Sequence, residues 1–315
     1  MQADESSGRI ALIDIGSNSI KLLVAERGLN GTIEVIEEGI AETRISAGIS
    51  RTHPRLLDAS MDAVIDSIEK LRQSALRAGA DRLFVTATSA VRDATNSQEF
   101  ARRLLKATGL ELRILTGLEE AELIAAGVRT DPELAHLRNF YLFDLGGGSL
   151  ETLAIQGDSI LCLDSLPLGC VRLTEQFVAD PGTAFPGSER RAIEGWIEQV
   201  LDQSSFAFDL PPADRTEVVF TGGTASVALF LGDPDEGESP GRLSQTGLEH
   251  HLGILSALPI TERSLYPGLP AERADVFPAA LTTLLTLMRL GGFTTARHSF
   301  RNLRYGMAAR LLESG

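Results

Sequence analysis

The chain has 315 residues, 43% of them apolar and 23% charged, with a formal net charge of −14. This length accommodates two domains with separate cores, and the balance is that of an ordinary globular protein rather than a disordered or fibrous one. The acidic excess argues against broad electrostatic binding to nucleic acid, and the longest apolar runs are strand-length, well short of the roughly 18 residues of a membrane span.

Met1–Gly8 is polar and acidic, without the basic and apolar regions of a signal peptide, so the cytoplasm is the expected compartment. Arg9–Asp14 reads as a strand and Ile20–Glu26 as its return, with Asn30-Gly31 a turn signal before a third strand over Thr32–Glu38. Over Pro54–Ala78, the apolar residues Leu57, Met61, Val64, Ile65, Ile68, Leu71 and Leu76 follow a helical period, closed by Gly79. Leu83–Ala87 is a strand, Asn96–Ala107 a helix and Glu111–Leu115 a strand, so the order before Gly117 is βββαβαβ. A helix follows from Glu119 to Val128, with Glu119, Glu120 and Glu122 in its first turn, where the helix dipole favours carboxylates.

The second half repeats the plan. Strands at Phe140–Asp144, Leu150–Gln156 and Ser159–Ser165 precede helices around Val171–Val178 and Ser188–Leu201. Strand Glu217–Phe220 runs into Thr221-Gly222-Gly223-Thr224 and another helix, and Asp233–Gly241 reads as a surface loop. The remainder, from Ser244 to Glu313, is mostly helical, with a short strand over Thr294–Ser299. Two α/β lobes of duplicated topology, the second with a helical elaboration, follow from this order.

Asp14-Ile15-Gly16-Ser17-Asn18-Ser19 and Asp144-Leu145-Gly146-Gly147-Gly148-Ser149 are one pattern, Asp-x-Gly-x-x-Ser, placed twice after an apolar strand. A strand that ends in Asp and turns through Gly brings a carboxylate, backbone N–H groups and a hydroxyl to one point, which suits phosphate with Mg²⁺. Taken alone, the first copy has the composition of an ordinary turn; its repetition favours the phosphate reading. Three consecutive glycines cost backbone entropy, which close approach of N–H groups to an anion explains. Two residues after the serine stands Lys21 in one copy and Glu151 in the other, a cationic and an acidic version of the same device.

Thr221–Thr224 is a third strand-to-helix loop able to accept phosphate at a helix start. Arg92 has the fork geometry for phosphate oxygens and equally that of a structural ion pair. Of Glu119-Glu120, helix-dipole complementation is one reading and a base for an attacking water the other. Arg297, His298, Arg301, Arg304 and Arg310 form either a local positive patch or a solvated helix face. Cys162 and Cys170 lie in no Cys-x-x-Cys or His/Cys cluster, so neither a zinc site nor a redox motif is expected.

With these residues placed, the chain resembles the Ppx/GppA family of exopolyphosphatases and guanosine pentaphosphate phosphohydrolases. Ile13–Ser19, Thr86–Asn96, Gly117–Ala121, Asp144–Glu151, Leu168–Val171, Thr221–Thr224 and Arg273–Val276 occur in the family's order across nearly the whole chain. The resemblance implies two actin-like (ribonuclease H-like) lobes of the sugar kinase/Hsp70/actin superfamily with an interlobe cleft. The first is expected over 1–125, completed by a C-terminal helix over 300–315, and the second over 126–299.

The resemblance also implies roles. Glu120 matches the base that activates water. Asp144 and Glu151 match the acidic positions around a divalent metal, Mg²⁺ or another, with Asp14 a further candidate. Ser17, Asn18, Ser19 and Lys21 match the first phosphate loop; Gly146, Gly147, Gly148 and Ser149 match the second. Gly222, Gly223 and Thr224 are candidates for further phosphate contacts, and Arg92 resembles the phosphate-gripping arginine. Arg273 binds the distal substrate chain, pairs with Asp275 or caps a helix. Tyr305 stands where an acidic residue is usual in the family, and the five histidines include no His-Asp pair of the HD-type domain that long members carry.

The expected activity is Mg²⁺-dependent release of terminal phosphate from inorganic polyphosphate. Guanosine pentaphosphate presents the same phosphoanhydride end and is the alternative substrate. A non-catalytic polyphosphate or alarmone sensor, or an ATP-using kinase of the same superfamily, are readings of other classes, and pairing of the helical second lobe suggests a homodimer.

Overall fold

The computed structural model describes residues 8–47, 54–211, 216–232 and 241–313. The polar segment expected over Met1–Gly8 and the loop over Asp233–Gly241 lie outside these, apart from Gly8 and Gly241. The chain divides into two compact units, Met1–Thr130 with Arg301–Gly315, and Asp131–Phe300.

The first unit is built on a five-stranded sheet of β1 (Ile10–Ile15), β2 (Ile20–Arg27), β3 (Ile33–Ala41), β4 (Arg82–Ala87) and β5 (Leu112–Ile114), in the order β3-β2-β1-β4-β5. The first three form an antiparallel meander, and β4 and β5 join parallel to β1. Between them lie α1 (Asp58–Arg77), α2 (Ser89–Asp93) and α3 (Ser97–Thr108); α4 (Gly117–Arg129) follows β5, and α11 (Leu303–Glu313) returns from the far end of the chain. β1 sits centrally and Ile10–Ile13 are all buried, as a strand covered on both faces requires. Met61, Val64, Ile68, Leu71 and Ala75, spaced by three and four, form the buried stripe of α1. The segment Ser89–Arg92, given no element by the sequence, is a single turn of helix too short for periodicity to reveal.

α4 begins at Gly117, two residues before the expected start, because Thr116 caps it. The Thr116 hydroxyl accepts from Glu119 N at 3.2 Å and the Glu119 carboxylate accepts from Thr116 N at 2.8 Å, a reciprocal capping box. α11 packs against α4 at two glycines. A Cβ on Gly306 would lie 2.7 Å from Leu123 C and 3.0 Å from Gly127 N, and one on Gly127 would lie 2.7 Å from Asn302 C. The two backbones therefore touch, which only glycine permits.

The second unit has a six-stranded sheet in the order β10-β11-β9-β6-β7-β8. β6 (Asn139–Leu145), β7 (Leu150–Gln156) and β8 (Ser159–Leu166) repeat the meander; β9 (Glu217–Thr221) lies parallel to β6, and β11 (Thr295–His298) parallel to β9. β10 (Arg242–Ser244), a three-residue edge strand, carries too few residues for an alternation to be read. The helices are α5 (Cys170–Phe177), α6 (Gly187–Asp202), α7 (Gly223–Leu231), α8 (Gln245–Ala257), α9 (Ile260–Arg263) and α10 (Phe277–Gly291). Every residue of α10 from Phe277 to Met288 is buried, so this is the core helix of the elaboration.

Arg263, at the end of α9, is 1% exposed. Its guanidinium donates to five backbone carbonyls, those of Leu255, Leu258, Ala274, Thr183 and Pro181, at 2.8 to 3.4 Å. Burial pushes its pKa down and nearby Asp275 opposes the shift. One side chain thus satisfies the carbonyls of several turns at once.

The C-terminal arginines do not share a helix face. Arg297 pairs with Glu217 on neighbouring strands, and Arg301 donates to Thr130 O. Arg304 is buried, donating to Leu22 O with Glu38 at 3.5 Å. Arg310 alone of these is on the solvated side, 3.4 Å from Glu122.

Candidate active site

The two Asp-x-Gly-x-x-Ser loops are the same hairpin in three dimensions. Gly16 N donates to Ser19 O at 3.0 Å and Gly146 N to Ser149 O at 3.0 Å. β1 and β2 place Asp14 opposite Lys21, and β6 and β7 place Asp144 opposite Glu151. Residues directly opposed in an antiparallel pair share a face of the sheet. The parallel neighbours correspond too, with Thr86 beside Asp14 and Thr221 beside Asp144.

In the first unit, Asp14 hydrogen-bonds Thr86, while its Oδ1 is buried with no hydrogen-bond partner. Burial raises its pKa, and Lys21, Arg304 and Thr86 work against the rise, in that order. Ser17 and Ser19 are buried. Ser17 Oγ lies 3.1 Å from Ser89 Oγ at the start of α2, the Ser17 carbonyl accepts from Ser46 N and Oγ, and Asn18 Oδ1 accepts from Arg44 Nε at 2.5 Å. Arg44 and Ser46 escaped sequence reasoning because they follow the meander by way of an irregular segment with no pattern of its own.

The structure divides the glutamate pair. Glu119 belongs to the capping box and meets Arg113 at 2.8 Å; these bonds hold its pKa down at about 2. Glu120 turns inward, is 7% exposed, and pairs with Arg92 at 2.9 Å. Arg92 Nη1 also donates to Leu115 O at 3.0 Å, fixing the guanidinium against the strand end. The capping and helix-start reading thus applies to Glu119, while Glu120 is set apart by its burial, and the structural ion pair open to Arg92 is made with this candidate base.

In the second unit, Asp144, Ser149, Glu151, Thr224 and Arg273 are all buried. Ser165 Oγ donates to Glu151 Oε1 at 2.8 Å from β8. Gly222, at φ +93°, turns the β9–α7 loop against Asp144, where a Cβ would collide with Asp144 Oδ1. A Cβ on Gly223 would lie 2.6 Å from Arg273 Nη1. The structure thus gathers Asp144, Glu151, the triple glycine, Gly222–Thr224 and Arg273 in one unit, and Asp14, Ser17–Lys21, Arg92 and Glu120 in the other.

The donor chemistry fits a divalent cation. Asp144 and Glu151 are two buried carboxylates facing each other across a strand pair, an arrangement that like-charge repulsion opposes unless a cation sits with them. Asp14 Oδ1 is a buried acceptor with no hydrogen-bond partner. Among the described residues no three His, Cys, Asp or Glu side chains gather into a ligand set. Mg²⁺ bound through one or two carboxylates and substrate phosphates needs no such cage.

A model of the Ppx/GppA phosphatase family matches residues 7–314. Exopolyphosphatase 1 of Mycobacterium tuberculosis is 28% identical over 310 residues, covering 97% of this chain and 89% of its own length. The crystal structure of an exopolyphosphatase from Cytophaga hutchinsonii superposes with a TM-score of 0.85 at 23% identity, over 97% of this chain and 98% of that one. The Aquifex aeolicus member of the Ppx/GppA family does so with a TM-score of 0.75 at 25% identity, over 97% and 98%. These neighbours share the two-lobe, actin-like architecture.

Proposed function

The chain belongs to the Ppx/GppA phosphatase family and is a hydrolase acting on phosphoanhydride bonds; from that premise we propose that it is an exopolyphosphatase, releasing terminal phosphate from inorganic polyphosphate with Mg²⁺. The observation that carries this reading is the pair of hairpins in one register with opposite cross-strand partners, Asp14 with Lys21 and Asp144 with Glu151. A phosphate polyanion suits the cationic version of such a loop, and its counter-cation suits the acidic one.

In this reading Lys21 and the Ser17–Ser19 hydroxyls and amides bind phosphate in the first unit. The N–H groups of Gly147, Gly148 and Ser149 do so in the second, with Gly222–Thr224 and Arg273 holding further phosphates. Asp144 and Glu151 hold the metal, with Asp14 as the corresponding carboxylate of the other hairpin; Mg²⁺ when bound supplies charge neutralisation on the phosphate oxygens. Glu120 accepts the proton of the attacking water as its oxygen bonds to the terminal phosphorus. The bridging P–O bond breaks, and the shortened polyphosphate leaves with the electron pair. Arg92 fixes the orientation of Glu120 and stands at the charge that builds up on the phosphoryl group.

The test is phosphate release with Mg²⁺ from long polyphosphate, tripolyphosphate, guanosine pentaphosphate and ATP. Long polyphosphate should give the highest kcat/KM, and Glu120→Gln should lower kcat by at least about a hundredfold while the protein still binds polyphosphate. Preference for guanosine pentaphosphate would move the assignment to the phosphohydrolase branch. Release from none, with binding retained, would make the chain a sensor.

A further inference from the structure

The second phosphate loop is held from behind by an element that none of the site residues belongs to. Cys170 N, at the start of α5, donates to Gly146 O at 3.0 Å; Val171 N and Arg172 N donate to Gly147 O at 2.9 and 3.1 Å. The side chain of Arg172 completes the set, Nε donating to Gly148 O at 2.8 Å. Three successive carbonyls of the triple glycine are thereby turned toward α5. The contact is close enough that a Cβ on Gly169 would fall within the backbone of Gly147 and Gly148.

Each peptide unit is planar and trans, so its N–H points opposite to its C=O. Fixing the carbonyls of Gly146, Gly147 and Gly148 therefore aims the N–H groups of Gly147, Gly148 and Ser149 away from α5, together and in one direction. Glycine, the most freely rotating residue, would not hold that orientation unaided. The peptide joining Gly148 to Ser149 is the last of the three, and its carbonyl is held by the Arg172 side chain rather than by a helix amide.

We propose that Arg172 is a positioning residue for phosphoanhydride hydrolysis: by binding Gly148 O it holds the Ser149 N–H, and with it the end of the triple-glycine loop, in the orientation that receives a phosphate oxygen. This rests on the exopolyphosphatase reading for its substrate but not for its geometry. In the first hairpin the Ser17 carbonyl is held by Ser46 N and Oγ, and the Arg44 guanidinium binds the Asn18 side chain. Behind the acidic loop the guanidinium of Arg172 grips a backbone carbonyl directly, whereas the Ser17 carbonyl of the cationic loop is held by the Ser46 amide and hydroxyl. The bond from Arg172 to Gly148 O is charge-assisted and so stronger than one from a neutral donor.

The experiment compares wild type, Arg172→Met and Arg172→Lys in three measurements: kcat and KM for phosphate release from polyphosphate, amide hydrogen exchange over residues 146–149, and melting temperature. Loss of a group that orients others at a site typically costs about 10- to 100-fold. Arg172→Met should lose that much in kcat/KM, exchange its loop amides about tenfold faster, and melt within a few degrees of wild type. Arg172→Lys, which keeps one charged donor, should recover part of both the rate and the protection. Wild-type kcat/KM with unchanged loop exchange in Arg172→Met would overturn the proposal, as would a rate loss that only tracks loss of folded protein in both variants. Absence of phosphate release from the wild type would refute the hydrolase reading instead, and the loop exchange would then still decide the role of Arg172.

Discussion

Replacing Gly306 by alanine tests the backbone contact between α4 and α11. The new Cβ would stand 2.7 Å from Leu123 C and 3.0 Å from Gly127 N, where carbon neighbours normally keep about 3.5–4.0 Å. The obstacles are helix backbone and no rotamer change relieves them, so the helices must part by roughly 1 Å. A gap of that size forfeits a quarter to a half of each contact along the interface. Overpacking of this kind costs about 1–3 kcal/mol and sometimes more, against a gain of about 1 kcal/mol from the better helix propensity of alanine. A rigid obstacle puts the cost at the top of that range, so a net loss of about 2 kcal/mol or more is expected.

The same chemical change at Gly253 in α8 or Gly195 in α6, where nothing lies within 4 Å of the added carbon, should stabilise by about 0.5–1 kcal/mol. Urea titration followed by far-UV circular dichroism reads the difference. The single tryptophan, Trp196 in the second unit, provides a separate probe that exposes any departure from two-state unfolding. A Gly306→Ala protein as stable as wild type, or a Gly253→Ala protein destabilised to the same degree, would refute the reasoning.

Gly169→Ala should push the triple-glycine loop off α5, lowering phosphate release at least tenfold with native helix content by circular dichroism; full activity would show that the loop tolerates displacement. Arg263→Met removes the guanidinium from five carbonyls, of which Leu255 O keeps Leu258 N; a carbonyl left buried without a donor costs about 1–3 kcal/mol, so the variant should melt well below wild type, and Arg263→Lys should recover only part of the loss. Glu119 has its pKa lowered from 4.5 to about 2 in the folded chain. Its contribution is therefore complete above the unfolded value of 4.5 and fades as pH falls toward 2. At 39% side-chain exposure, solvent screening limits this to about 1 kcal/mol or less. Glu119→Gln should flatten the stability profile between pH 2 and 4.5, and equal pH dependence in the two proteins would remove the ion pair and cap as its source.

The hairpins were legible because all of their information is local. Asp, Gly and Ser follow one another in a strand-loop-strand, and one comparison at Lys21 and Glu151 separates the copies. The Thr116-x-x-Glu119 box was equally local, and it explains why the helix starts earlier than its glutamates alone suggest. What could not be read depends on contacts between distant positions. Arg92 and Glu120 lie 28 residues apart and meet only when β4 and β5 pair. Gly127 and Gly306 look like ordinary helix-weakening glycines until α4 and α11 are set side by side. The C-terminal arginines, close together in sequence, are dispersed by the fold into a strand pair, a buried carbonyl contact and a surface pair, because no single helix contains them all.

The first unit draws on two stretches of chain separated by the whole of the second, and this sets an order of events during synthesis. Residues 131–300 are contiguous and can close their core as soon as they emerge, whereas α4 stays bare on its glycine face until Leu303–Glu313 have been made. Of the two units, the one whose strands are made first is therefore the one completed last. Until then the hairpin carrying Asp14 and Lys21 lacks Arg304 at Leu22 O, so its last backbone partner arrives only with the return of α11.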